Sequence, residues 1–135
     1  MTARPLDITR WPLVAGAISA LLAVMAGAFG AHGLRAMVSA RALEVFQTAV
    51  TYQVYHAIGL ILIALLTGSG LSRRLLTAAA GFFLAGTLLF SGSLYTLVLT
   101  DLRWLGPVTP LGGVCFMIGW VLVAVAGIRR PGVPQ

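Results

Sequence analysis

The chain has no lysine and very little charge of either sign: nine arginines, three acidic residues, and charged residues at 9% of 135. Hydrophobic residues make up 59%, so a surface suited to water cannot be built. The net charge of +6 is spread as single or paired arginines. There is no basic stripe interleaved with aromatics, and nucleic acid is therefore not an expected partner. The one cysteine, Cys115, lies inside an apolar stretch and excludes an intramolecular disulfide. No cofactor is expected from composition or spacing.

What the chain has instead is apolar sequence of bilayer length, four times over: Leu13–Ala31, Val50–Leu66, Leu75–Leu99 and Leu111–Ile128. A spanning helix needs about 20 mostly apolar residues, and none of these stretches contains Asp, Glu, Lys or Arg. The fold class expected is all-α: a polytopic four-helix membrane bundle over residues 1–135 as a single transmembrane domain, with helices near 12–32, 40–67, 74–100 and 110–129. The first stretch follows Arg4 and Arg10, and Ala26-Gly-Ala28 has the look of a signal-peptide cleavage site. The stretch is longer than an h-region of about 7–15 residues, and the expectation is a retained first helix.

Local signals set the ends. Trp11-Pro12 suits an interfacial helix start. Gly33 ends the first span, and Ser39 is the N-cap of the next. Leu43, Phe46 and Val50 recur at helical spacing opposite a stripe of Arg41, Glu44, Thr48, Thr51 and Tyr55. The second helix therefore begins as an amphipathic extension near Ala40 and should be the longest. Thr67-Gly-Ser-Gly70 is a turn. Thr109-Pro110 predicts a capped start for the last helix, and Arg129-Arg130-Pro131 closes it. Gly16, Ala20, Ala23, Gly27 and Gly30 share one face of the first helix, a small-residue ridge for helix packing.

Four spans put Arg4, Arg10, Arg73, Arg74, Arg129 and Arg130 on one side, and Arg35, Arg41 and Arg103 on the other. This excess places both termini in the cytoplasm of a bacterial inner-membrane, multi-pass protein. On that topology His32, Glu44, Gln47, Tyr52, Tyr55, His56, Ser91, Ser93, Tyr95 and Thr109 fall toward the outer leaflet, with Cys115 nearby. Polar side chains at membrane depth usually face a bundle interior or a cavity. The expectation is that His32, Tyr52, His56, Ser91, Ser93 and Tyr95 converge, with His32 near His56 and a histidine hydrogen-bonded across helices.

Three chemistries compete with a purely structural lock. Metal or haem ligation by His32 and His56 lacks a recognised ligand spacing. A solute path is at odds with the apolar inner half. Catalysis by Ser91 or Ser93 needs a histidine that only the topology brings near, and serine in a membrane helix commonly serves to join helices. The function expected is that of a non-enzymatic accessory, assembly or scaffolding protein, with a small transporter or a metal- or haem-binding protein as the alternative. Its partners are the lipid bilayer and, beyond it, other membrane proteins or further copies of the chain.

Four blocks carry a resemblance: Gly27-Ala-Phe-Gly-Ala-His-Gly33, Phe46-Gln-Thr-Ala-Val-Thr-Tyr-Gln-Val-Tyr-His56, Leu89-Phe-Ser-Gly-Ser-Leu-Tyr95, and Thr109-Pro-Leu-Gly-Gly113 with Gly119-Trp120. In this order and spacing they resemble the bacterial "domain of unknown function 423" membrane family, whose eukaryotic relatives are called transmembrane protein 256. The resemblance implies a small multi-pass inner-membrane protein and no particular activity.

Overall fold

The structure, a computed structural model, describes residues 8–129; Arg4, Arg130 and Pro131, invoked above, lie outside them. Four helices follow in order: α1 (Arg10–His32), α2 (Ala40–Leu66), α3 (Arg73–Thr100) and α4 (Val108–Ile128). Each is long and apolar enough to cross a membrane. The fold is an all-α bundle of four transmembrane helices.

The helix ends follow local chemistry. Ser39 accepts a hydrogen bond from the Ala42 amide at 3.2 Å, and α2 starts at the next residue. At the other end of the bundle Ser72 faces the Leu75 amide as the cap of α3. Asp101 ends α3 in the left-handed region at φ 55°, a conformation that short polar residues tolerate better than most. Gly33 closes α1 through its N–H to Phe29 O, and one 3₁₀ turn, Leu34–Ala36, leads toward α2.

Two expectations about helix ends are corrected. Thr109 does not cap α4: Pro107 already holds helical backbone at φ −66° and ψ −18°, so the helix begins at Val108 and leaves the Thr109 hydroxyl free to bond elsewhere. The longest helix is α3, with 28 residues against 27 for α2, because Ser72 starts it immediately after the turn.

Sequence neighbours pack: α1 on α2, α2 on α3, and α3 on α4. These seams are backbone-close because glycines meet there. A Cβ on Gly16 would lie 2.8 Å from Ala57 O, and one on Gly112 would overlap the Phe90 backbone. The ridge of α1 faces α2, with Gly16, Ala23 and Gly30 buried and Ala20 and Gly27 partly so. Without water inside a bilayer, such close packing is what holds helices together. Leu60, Ile63, Leu76, Ala79, Ala80, Phe83, Phe116 and Ala126 form the core.

At the arginine-rich end the chain is tied. The Thr9 amide donates to Thr67 Oγ1 at 2.8 Å, Thr67 Oγ1 donates to Ala64 O, and Arg73 Nε donates to Thr9 Oγ1 at 2.9 Å. This joins the start of α1 to the α2–α3 turn. The opposite end carries ion pairs between Arg41 and Glu44 at 3.1 Å and between Arg103 and Asp101 at 3.7 Å. All four side chains are exposed, and pairs of this kind contribute little to stability.

The α2/α4 and α1/α3 pairs lack such backbone-close seams. Each leaves a groove that opens sideways between its helices, and these two grooves hold most of the polar groups at depth.

Candidate functional site

His56 is the centre of the α2/α4 groove. It is 3% exposed and lies ten residues before the end of α2 at Leu66. That is roughly 15 Å along the axis, about the middle of a hydrocarbon core near 30 Å thick. Its ring stacks on Phe116 of α4, with centroids 3.5 Å apart and planes 7° apart, and meets the edge of Phe83 of α3.

Both ring nitrogens of His56 are engaged. Nδ1 lies 2.7 Å from the Tyr52 carbonyl, which can only accept, so Nδ1 carries the proton. Nε2 accepts from the Trp120 indole N–H at 3.2 Å. The tautomer follows from its partners: a neutral imidazole, protonated at Nδ1.

Around this ring the groove is aromatic. Tyr52, Tyr55, Phe90, Pro110, Gly113, Met117 and Trp120 line it together with His56 and Phe116, enclosing about 520 Å³. The Tyr52 ring leans on Phe90 with centroids 4.6 Å apart. Tyr55 and Met117 are 57% and 62% exposed, so the mouth of the groove presents large apolar surface to lipid.

The other polar residues take separate places. Tyr95 donates to Gln53 Oε1 at 2.6 Å, and Gln53 Nε2 donates to Ser19 O at 3.0 Å. This chain links α3, α2 and α1. Ser91 donates to Ala49 O at 2.7 Å, tying α3 to α2. Ser93 and Thr109 share a hydrogen bond of 2.7 Å between α3 and α4. Cys115 is partly buried on α4.

The expectation of one convergent outer cluster is corrected in part. His56 does bond to a side chain of another helix, but near mid-depth. His32 is exposed at the end of α1. That end meets α2 at Phe46, whose ring lies beside Gly30 and packs on Phe29. Ten residues of helix, roughly 15 Å, separate Phe46 from His56. Glu44 is exposed and paired with Arg41, and Gln47 is exposed; neither reaches the groove. Tyr52, Tyr55 and His56 face α4, whereas Ser91 and Tyr95 bond on the other side of α2.

Four contributors went unread. Gln53 sits on the buried face that runs Phe46, Ala49, Gln53, Ala57 and Leu60, and that spacing was a usable signal. Trp120 carries an indole N–H at depth, which calls for an acceptor. Phe116 and Phe83 gave no signal beyond hydrophobicity.

Among the described residues, no three His, Cys, Asp or Glu side chains gather as a metal cluster would. The site is an uncharged, aromatic and hydrogen-bonded one inside a membrane bundle. Comparison with known proteins gives its family. Residues 26–113 match "Protein of unknown function (DUF423)". The UPF0382 membrane protein YwdK of Bacillus subtilis is 46% identical over 117 residues, 87% of this chain and 95% of its own length. The UPF0382 membrane proteins SAB0533 of Staphylococcus aureus and SERP0230 of Staphylococcus epidermidis are each 43% identical, over 89% of this chain and 97% of theirs. The chain belongs to this family of uncharacterised bacterial multi-pass membrane proteins. No solved structure matches it.

Proposed function

We propose that the protein is a non-enzymatic accessory factor of the bacterial cytoplasmic membrane that holds a transmembrane helix of another membrane protein against the α2/α4 face. The observation that carries this is the aromatic groove, open to lipid between two helices that are not packed backbone to backbone. Tyr, Trp and Met are the residues that anchor protein contacts most often, and here Tyr52, Tyr55, Met117 and Trp120 lie together. Tyr and Trp lose few rotamers on contact, and Met adapts to irregular surfaces.

The alternative of a metal- or haem-binding protein is weaker on the same geometry. Ligation at His56 Nε2 would have to displace the Trp120 indole, and His32 stands far from it. Acid–base work by His56 meets the same obstacle, since neither nitrogen is open to a substrate.

The orientation proposed has both termini in the cytoplasm. Arg10, Arg73, Arg74 and Arg129 stand at one end of the described helices, against Arg35, Arg41 and Arg103 at the other. A reporter fused after Gln135 should be active only as a cytoplasmic protein; activity confined to the far side would overturn the orientation. We also read the four signature blocks as linking the chain to eukaryotic transmembrane protein 256.

A photo-crosslinking residue placed at Met117 in living cells tests the partner. One discrete adduct with another membrane protein is expected. The same residue at Leu21, on the lipid-facing side of α1, should give none. An adduct of twice the chain mass would replace the partner with a second copy. Equal, diffuse labelling from both positions would remove the groove as a docking face.

A further inference from the structure

The groove between α1 and α3 differs from its counterpart in holding a buried hydrogen-bond donor that is unused. It has two lobes, of about 340 and 200 Å³, which share Leu22, Gln53, Thr87 and Leu88. Ser19 lines the smaller lobe. The residue is 7% exposed, and its hydroxyl is buried with no hydrogen-bond partner.

Among the described residues it is the one buried side-chain polar atom without a partner. Serine and threonine in helices ordinarily bond back to the preceding turn, and Thr48, Thr67, Thr87, Ser93 and Thr96 all do so here. Ser91 reaches Ala49 O instead. Ser19 does neither, although a hydroxyl stranded in an apolar setting is costly.

A second donor lies beside it. A glutamine amide has two N–H groups. Gln53 uses one on Ser19 O, and its carbonyl takes the Tyr95 hydroxyl. The amide cannot be turned over, because its oxygen would then face the Ser19 carbonyl. One Gln53 N–H therefore remains, and Gln53 lines the same lobe as Ser19.

Depth restricts what can answer these donors. Ser19 is nine residues beyond Arg10, and Thr87 fourteen beyond Arg73, which is roughly 14 and 21 Å into the bundle. A charged headgroup at this depth would be strongly disfavoured. Phospholipid ester groups lie at the edge of the hydrocarbon core, so the acceptor has to belong to a molecule dissolved among the chains. We propose that the α1/α3 groove binds an uncharged, lipid-dissolved molecule that presents a carbonyl oxygen to Ser19 Oγ and the free N–H of Gln53, the chemistry of an isoprenoid quinone ring. Its apolar tail lies along Leu22 and Leu88, which are 51% and 67% exposed. The hydroxyl is itself buried, so access to it requires apolar residues of the same wall to turn aside. The inference is independent of any partner at the α2/α4 face.

The test uses the full chain in phosphatidylcholine nanodiscs, labelled with a photoreactive azidoquinone and mapped by mass spectrometry. Labels should fall on the α1/α3 walls. Decylubiquinone should compete them away, and squalane, a hydrocarbon without an acceptor, should not. Ser19→Ala should weaken labelling roughly three- to tenfold, the worth of one neutral hydrogen bond, with unchanged or higher thermal stability. Ser19→Thr should restore labelling. Labelling spread evenly over lipid-facing residues, concentrated on Tyr55 and Met117, insensitive to decylubiquinone, or undiminished in Ser19→Ala overturns the proposal.

Discussion

Between α1 and α3 the bundle leaves a groove floored by Gln53, Thr87 and Ser91; between α2 and α4 it leaves one lined by Tyr52, Phe116 and Trp120. Both arise in the same way. Glycines bring α1 onto α2 and α4 onto α3, while α2 and α3 pack on each other, so the two outer helices each lean toward one inner helix and away from the other. What differs is how the polar groups at depth are treated. In the α2/α4 groove both nitrogens of His56 and the Trp120 indole are paired, and the rest of the lining is mostly aromatic. In the α1/α3 groove a buried hydroxyl and one amide N–H are left over. Paired polar groups under aromatic rings make a surface for packing, whereas leftover donors make a surface for an acceptor.

The largest expected effect comes from the glycine seams that create the grooves. Gly112→Leu forces a side chain into the Phe90 backbone and pushes α4 off α3. Overpacking of this kind costs about 3 kcal/mol, and the damage should centre on the aromatic groove. Gly16→Leu does the same between α1 and α2, where a Cβ already meets Ala57 O at 2.8 Å. Detergent-denaturation curves should show both variants strongly destabilised, with crosslinking from position 117 lost only in Gly112→Leu. Tolerance of leucine at either site would mean that the seams do not set the groove walls.

Next in size is Gln53→Leu. It removes the acceptor of Tyr95 and the donor to Ser19 O together, and stranding a buried polar group costs about 1–3 kcal/mol. Much of that loss should return in Gln53→Leu with Tyr95→Phe, because the hydroxyl left without a partner is gone. A double variant no better than the single one would show that Gln53 acts by filling space rather than by bridging three helices.

These two cases also show how far the sequence could be read. Four spans, the Ser39 cap and the small-residue ridge were legible, because each depends on residues within a turn or two of one another. The arrangement of the grooves was not. It depends on which glycine of one helix meets which large side chain of another, as Gly112 meets Phe90, and no periodicity within a single helix encodes that match. Distance from a helix end also misled the reading of His56. The start of α2 projects as an amphipathic extension bearing Arg41 and Glu44, so the middle of the helix lies at Gln53, three residues before His56. His32 is the last residue of α1, and the two histidines are therefore not at one depth.

The smallest effect is the most discriminating. His56→Phe keeps a ring against Phe116 and removes the acceptor of the Trp120 indole together with the donor to the Tyr52 carbonyl of the same helix. Interhelical hydrogen bonds in membranes contribute about 0.6 kcal/mol on average, so the stability change should be close to that. The optical change should be clearer. With Trp11 and Trp104 replaced by Phe, Trp120 is the remaining indole, and loss of its hydrogen bond should shift its emission to the blue. Gln53→Leu, on the far side of α2, should leave that emission where it was. If both variants shift it equally, the two grooves respond as one unit, and the division between a paired aromatic face and a donor-rich one does not hold. If only His56→Phe does so, the faces are separable, and a partner on one can be studied without disturbing a ligand on the other.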